Sequence, residues 1–554
     1  MRLTSGQGQS AHVDPFARDH LPDRRWWPEL CFDLPQLNYP ARLNCAAALL
    51  DAAVAGGGGA RVALRSQRLC WTYAELQGQV DRICHVLRGD LALVPGQRVL
   101  LRGANTPLMA AAILAVFKAG CIAVPTMPQL RARELAAIID KAAVNAVLCE
   151  AALAGEIGAL SAPPPTLWFG GVDGATPAPS PDSPDSPASL EELMARQPSR
   201  FEALDTAADD VCLISFTSGT TGVPKGTMHF HRDMLAICDC FPRSILDTGP
   251  DDIFIGTPPL AFTFGLGGLL LFPLRVGASA VLLDQPTPAT LLRAIEEHRA
   301  TICFTAPTHY REMAALAPDY DLSRLQKSVS AGEALPVATR LAWQSASGLA
   351  MIDGIGATEL LHIFISAAGA EIRPGATGKP IPGYRACILD SAGQAVGPGV
   401  IGRLAVKGPT GCRYLADPRQ RDYVQDGWNV TGDAYEMDAD GYFYYRSRND
   451  DMIISAGYNI AGPEVEEALL RHPAVGECGV TGRADLRRGQ IVQAHVVLKP
   501  DWAPSEQMAL TLQQFVKQQI APYKYPRAVH FVSALPRTES GKLQRFKLRD
   551  GGSR

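Results

Sequence analysis

Val211-Cys-Leu-Ile-Ser215-Phe-Thr217-Ser-Gly-Thr-Thr-Gly222-Val-Pro-Lys225-Gly226 sets an apolar run against a loop suited to an anion. A short, fully apolar run reads as a buried strand. The loop offers hydroxyls at Thr217, Ser218, Thr220 and Thr221, glycines at Gly219, Gly222 and Gly226, and the single cation Lys225. Glycines let a backbone approach a ligand closely and turn its N–H groups inward as an anion nest. Hydroxyls and a lysine add donors, the lysine a charge-assisted one. The stretch therefore reads as a phosphate cradle. It is not the Walker type, because Pro224 and Lys225 follow Gly222 out of the Gly-x-x-x-x-Gly-Lys-Ser/Thr register. Alone, a loop of this composition is more often an ordinary surface turn.

Composition narrows the possibilities around it. At 554 residues the chain predicts two or more domains. A net charge of −4 argues against a nucleic-acid partner, which usually meets a basic protein. The 13 cysteines include no Cys-x-x-Cys pair, so their spacing indicates neither a zinc site nor a disulfide framework. Met1 to Arg25 lacks the apolar core of a signal peptide, and Leu260 to Leu274 is too short and too punctuated by Gly and Pro to span a bilayer. A cytoplasmic, membrane-free protein is the expectation.

Helical and strand patterns alternate from Leu108 onward: Leu108–Lys118, Cys121–Val124, Arg131–Lys141, Ala143–Cys149 and Thr301–Thr305. Such alternation argues α/β layers with parallel sheets. Ser161 to Ser189, rich in Pro, Ser and Gly, reads as a surface connection without a core. From Ile381 to Val406, short alternating segments between Gly/Pro turns look antiparallel. After Asp450, helices at Pro463–Arg471 and Met508–Ile520 and strands around Cys478–Val480 and His495–Leu498 make a small last unit.

Four further segments give the phosphate loop company: Asp353-Gly354-Ile-Gly356-Ala-Thr358-Glu359, Thr431-Gly-Asp433, Ser447-Arg448-Asn-Asp450-Asp451 leading into Ser455-Ala-Gly457, and Pro536-Arg-Thr-Glu-Ser-Gly-Lys542. In this order, from about Leu43 to Leu548, they resemble the motifs of the adenylate-forming superfamily of acyl-CoA synthetases, stand-alone adenylation domains and luciferases. The resemblance implies ATP, CoA and Mg2+, and an acid–thiol ligase that works through an acyl-AMP. It implies an α/β fold whose large N-terminal domain has two α/β-layered subdomains and a small β-barrel, followed by a small mobile α/β domain. The expected division is 1–446 for the first, 447–451 for a hinge and 452–554 for the second.

The chemistry asks for these residue types. Joining a carboxylate to the α-phosphate of ATP brings anions together, so the site must neutralise charge and fix geometry. By resemblance, Thr217 to Lys225 embraces the β- and γ-phosphates, Glu359 is the magnesium ligand and Thr358 donates to the α-phosphate. One carboxylate suffices, since magnesium usually keeps phosphate and water ligands. Asp433 and Arg448 are assigned to the ribose, the Ala331-Gly332-Glu333 segment to the adenine, and Asp353, Gly354 and Gly356 to ATP binding on the turn that carries Thr358. Lys542 would reach both the α-phosphate and the carboxylate. Each residue alone has a plainer use: Asp433 as a turn acid, Glu359 as a solvated acid at a helix start, Lys542 as a surface lysine, Arg448 in an interdomain ion pair.

Because Lys542 belongs to the last unit and the phosphate loop to the large one, adenylation needs the two closed together. The resemblance then implies rotation about Asp450, which brings Gly457 to the site and leaves room for the pantetheine arm of CoA. For the acid, Phe262 and Phe264 in Pro258-Pro-Leu-Ala-Phe-Thr-Phe-Gly, together with His362, Gly356 and Ala331, would wall a flat apolar slot. Phe262, Phe264 and His362 resemble the aryl-acid branch, and the opening His12-Val-Asp-Pro-Phe resembles its 2-aminobenzoate (anthranilate) members. The expected reaction is activation of 2-aminobenzoate to aryl-AMP and transfer to CoA. The alternatives are a benzoate–CoA ligase and an aryl-adenylating enzyme that loads an acyl carrier protein. A non-catalytic nucleotide-binding scaffold has no use for the full set of motifs. Sequence leaves the oligomeric state open.

Overall fold

The computed structural model describes residues 9–170, 189–217, 224–284, 286–448, 451–455, 458–485, 487–520, 522–537 and 543–550. Two large sheets carry the first two-thirds of the chain. The six-stranded sheet runs Thr166–Phe169, Ala146–Glu150, Arg98–Arg102, Ile122–Thr126, Val211–Thr217, Lys225–Phe230. Its first five strands are parallel, and the last returns antiparallel on Val211–Thr217, with Thr217 facing Lys225 as the final pair. The nine-stranded sheet has a parallel centre and antiparallel pairs towards its two edges.

Sequence explains why the layers hold. Residues of both sheets meet in one continuous apolar core that includes the helix Pro107–Lys118. That helix is small and apolar on every side, as a helix covered all round must be, and every residue of it except Leu108 is buried. Thr106 caps it by accepting from the Met109 amide, and Pro107 occupies its first turn, where no N–H is missed. At its other end Lys118 is buried between Asp51 and Asp81, at 2.7 and 2.5 Å.

One sequence expectation changes. The Pro/Ser-rich stretch contains a strand, Thr166–Phe169, with Leu167 and Phe169 buried against its neighbour Ala146–Glu150. Four apolar or β-favouring residues suffice for an edge strand although the window around them cannot build a core. Residues 171–188 of that stretch lie outside the described residues.

A five-stranded antiparallel half-barrel sheet follows, made of Arg385–Leu389, Gly402–Lys407, Val424–Gln425, Trp428–Met437 and Phe443–Arg448. The last unit has a five-stranded sheet and the helices Gly462–Leu470 and Glu506–Gln519, with its own core around Val465, Leu469, Val492 and Val496. Arg311 of the large part lies 3.6 Å from Glu477 of this unit, and Glu477 also accepts from Arg537 at 2.8 Å.

The segment Arg413–Leu415 lies beside Lys225–Phe230, the returning strand of the hairpin that holds the expected phosphate loop. Met228 donates to the Arg413 carbonyl and Leu415 to that of Gly226. Arg413 is fully buried, pairs with the fully buried Asp233 at 2.9 Å and lays its guanidinium over Phe230 at 3.9 Å. Asp233 also accepts from the Phe230 amide at 3.0 Å and so caps the helix His231–Phe241. Removing one partner of such a pair strands a charge in the interior. Arg413→Met is expected to cost about 3–5 kcal/mol in urea unfolding; a loss below about 1 kcal/mol would mean the pair does not hold this segment in place.

Candidate active site

Parallel strands that end at one edge of a sheet deliver their loops to one place, and α/β proteins bind ligands outside such carboxyl ends. Lys327–Ser330 and Met351–Gly356 are parallel neighbours, with Ser330 in register with Asp353. The turn Ala331-Gly332-Glu333 leaves the first, and Ala357-Thr358-Glu359 leaves the second. Gly332 has φ +92°, a left-handed conformation that favours glycine. Glu333 accepts from the Thr308 hydroxyl at 2.9 Å through one oxygen, while its other oxygen is buried without a partner.

Thr358 and Glu359 open a short 3-10 turn whose position is fixed from the phosphate hairpin. His229, on the returning strand, reaches the Thr358 carbonyl through Nε2 at 2.9 Å. A carbonyl only accepts, so Nε2 carries the proton. Burial holds the His229 pKa down at about 4, so the ring is neutral near pH 7. Tyr414 closes the arrangement: its phenol donates to Glu359 Oε1 at 2.5 Å, and Lys225 Nζ lies 5.4 Å from the centre of its ring. Burial, and next the Glu359 charge, push the Tyr414 pKa well up, which keeps the phenol a donor. At the far end of the loop, Lys141 holds the Pro224 carbonyl at 3.0 Å and pairs with Asp417 at 2.8 Å.

Asp433 and Arg448 face each other across adjacent strands and pair at 3.2 Å. Gly432, between Thr431 and Asp433, leaves room for the Arg448 guanidinium, which a Cβ there would displace. Asp353 lies half-buried on its strand; desolvation raises its pKa to about 7 against the pull of Arg340. The structure thus brings Thr217, Lys225, Thr358 and Glu359 together and pairs Asp433 with Arg448. Ser218, Gly219, Thr220, Thr221, Gly222, Asp450, Gly457 and Lys542 lie outside the described residues. The two ends of the Lys542 segment, Arg537 and Leu543, bridge one another.

His362 is buried within a ring of Phe272, Phe241 and Phe264, with centroids at 4.5, 5.6 and 5.7 Å. Phe264 also meets Phe304 at 5.5 Å. Phe262 is half-buried at the start of the short helix Thr263–Leu266 and makes no recorded ring contact with His362. Burial lowers the His362 pKa to about 3, so the imidazole is neutral, and neither ring nitrogen has a hydrogen-bond partner of adequate geometry. Gly356 abuts the backbone of His362 and Gly267 its ring, leaving room for no side chain at either. Sequence reasoning missed Tyr414, His229, Lys141, Phe241, Phe272 and Phe304. No local motif marks them, and only the pairing of distant strands and helices places them.

Comparison with known proteins gives the chemistry its name. Residues 50–414 match the AMP-binding enzyme family, and residues 464–542 match the AMP-binding enzyme C-terminal domain. The chain belongs to the AMP-binding enzymes. It is 35% identical over 524 residues to the benzoate–CoA ligase of Thauera aromatica, covering 93% of this chain and 97% of that one. Among solved structures, an anthranilate CoA ligase, AuaEII, in complex with anthranoyl-AMP matches with a TM-score of 0.85 at 32% identity, over 94% of this chain and 99% of that one. A benzoate CoA ligase from Burkholderia xenovorans LB400 matches with a TM-score of 0.81 at 32% identity, over 92% and 100%. As an AMP-binding enzyme this chain is an ATP-dependent, AMP-forming acid–CoA ligase. Among the described residues, no helix is long and apolar enough to cross a membrane.

Tyr414 ties two of the site's charges together, and its loss has a measurable signature. Tyr414→Phe keeps the ring under Lys225 but removes the donor to Glu359. A hydrogen bond to a charged group is worth roughly 1.5–3 kcal/mol, so acid-dependent pyrophosphate release is expected to fall by about tenfold or more. An unchanged rate would show that Glu359 needs no anchor.

Proposed function

We propose that this enzyme activates a small planar aromatic acid, 2-aminobenzoate ahead of benzoate, to an aryl-AMP and passes it to CoA. The observation that carries the choice of acid is the neutral, buried His362 set among phenylalanine rings. Apolar walls with one or two polar groups suit a flat ring that bears a polar substituent. A neutral imidazole can donate to the carboxylate through one nitrogen or accept from an ortho amine through one. The similarity to benzoate and anthranilate CoA ligases supports the same class of substrate.

The proposed roles follow the motifs. The Thr217–Lys225 loop holds the β- and γ-phosphates, with Ser218, Gly219, Thr220, Thr221 and Gly222 contributing donors. Thr358 donates to the α-phosphate, and Asp433 with Arg448 holds the ribose. Ala331, Gly332 and Glu333 lie along the adenine. The donor set fits magnesium: Glu359 presents a carboxylate beside the lysine of the loop, and one carboxylate plus phosphate oxygens is the usual provision. When bound there, magnesium supplies positive charge to the phosphates. Lys542 steadies the carboxylate and α-phosphate as charge builds between them. The large unit, residues 1–446, and the small unit, 452–554, move about the hinge 447–451, with Asp450 absorbing the rotation and Gly457 lining the CoA passage.

The two half-reactions separate these assignments. Lys542→Ala is expected to abolish aryl-AMP formation, by about 10²–10³-fold or more, and to spare thioester formation from supplied aryl-AMP and CoA. Gly457→Leu is expected to do the reverse. Equal loss in both steps for either variant would overturn its role.

The choice of acid is tested by thioester formation with 2-aminobenzoate, benzoate, hydroxybenzoates and a fatty acid. A hydrogen bond lost inside a site built for it costs more than a methylene in an apolar pocket, which is worth only about 1–3 kcal/mol. His362→Ala is therefore expected to shrink the kcat/KM ratio of 2-aminobenzoate to benzoate. An unchanged ratio would show that His362 does not read the amine. A wild-type preference for the fatty acid would refute the aromatic class.

A further inference from the structure

Away from the nucleotide site, the fold gathers a second group of chemically competent side chains that the ligase reaction does not use. Cys45, Cys212 and His231 are distant in sequence, and all three are fully buried. Cys45 lies where the N-terminal segment enters its first long helical stretch, Cys212 on the strand Val211–Thr217, and His231 at the start of the helix His231–Phe241. Their ligand atoms lie within 4.8 Å of one another, and His231 Nδ1 is 3.1 Å from Cys45 Sγ.

The histidine is already in the ligating tautomer. The Cys45 amide points its N–H at Nδ1 at 3.2 Å, so Nδ1 carries a lone pair and the proton sits on Nε2. Nε2 is buried without a partner. A bound ion would take the lone pair that the amide now shares. With bonds of about 2.3 Å to sulfur and 2.0–2.1 Å to nitrogen, neighbouring ligand atoms around such an ion stand roughly 3.5–4 Å apart. The 3.1 Å contact and the 4.8 Å outer limit bracket that spacing.

Charge decides which ion. Two thiolates and one neutral imidazole cancel a charge of two, and a neutral complex is what a dry interior tolerates. Sulfur and imidazole select thiophilic ions over magnesium or calcium, which take oxygen. We propose that Cys45, Cys212 and His231 form a buried binding site for a thiophilic divalent cation, Zn2+ in the first place. Two metal–sulfur bonds and one metal–nitrogen bond form, both thiol protons leave to solvent, and no group changes oxidation state. Cys212 shares its strand with Thr217, and His231 follows directly on the strand that Lys225 opens. An ion there braces the root of the phosphate hairpin against the N-terminal segment.

The test uses the full-length chain, stripped with a chelator and titrated with Cd2+. Expected are uptake of one ion per chain, an ultraviolet thiolate-to-cadmium charge-transfer band and a rise in Tm. Outer-shell changes already weaken metal sites by about 10–100-fold, so Cys45→Ala and Cys212→Ala should each lose the band and bind Cd2+ at least about tenfold more weakly. Cys303→Ala, a buried cysteine outside the cluster, should keep both. Absence of the band in the wild type, or equal loss in Cys303→Ala, overturns the site. Should the cluster variants fail to fold, X-ray absorption of the Zn2+-loaded wild type decides: two sulfur neighbours and one nitrogen uphold the site, an all-oxygen shell refutes it.

Discussion

The buried pair between Arg413 and Asp233 is the constraint from which the site's geometry follows. Asp233 caps the helix after the phosphate hairpin, and Arg413 fixes the segment that runs beside that hairpin. Tyr414 is the next residue along, so anchoring one guanidinium aims a phenol at Glu359. The pair is not fully satisfied: Asp233 Oδ1 and Arg413 Nε and Nη2 find no partner. Stability alone would favour apolar side chains of similar size there. What the charges provide is position, because an ion pair stacked on Phe230 admits fewer arrangements than interchangeable methyl groups do.

Electrostatics divides the site into two regions of opposite character. Around Glu359 a phenol whose ionisation burial opposes donates to the carboxylate, and Lys225 Nζ lies 5.4 Å from the centre of its ring. Around His362 charge is excluded, by aromatic walls that hold the imidazole neutral. Both features come from sequence-distant partners, and both surround the turn 357–362. A few residues of backbone therefore separate a polar region around Glu359 from an apolar one around His362.

Most of the layered fold was legible in the sequence because its signals are local. The apolar runs at Val211–Ser215 and Thr301–Thr305 became buried strands, and the small apolar helix ending at Lys118 became a covered core helix. Glu359, Asp433 and Arg448 were singled out only through the order of their motifs, since each residue has a commoner use when taken alone; the structure adds the Tyr414 bond to Glu359 and the Asp433–Arg448 pair. Tyr414, His229 and Phe272 were not legible, because their meaning arises from partners 55, 129 and 90 positions away, Glu359, Thr358 and His362. The strand Thr166–Phe169 was hidden by the composition of the window around it. The cysteines were read by spacing, and spacing is blind to Cys45 and Cys212, which meet only in the folded core.

Glu477 stands between Arg311 and Arg537 on a partly exposed surface, and its contact with Arg311 is long. Exposed pairs of this kind contribute only about 0–1 kcal/mol and fade as salt screens them. This single pair between the units is thus a contact that thermal energy can undo, whereas the helix Gly462–Leu470 also packs against the strand Phe443–Arg448. Rising ionic strength weakens this contact without any change in either part's interior. Single charge substitutions at position 311 or 477 can therefore retune this contact without disturbing the core of either unit.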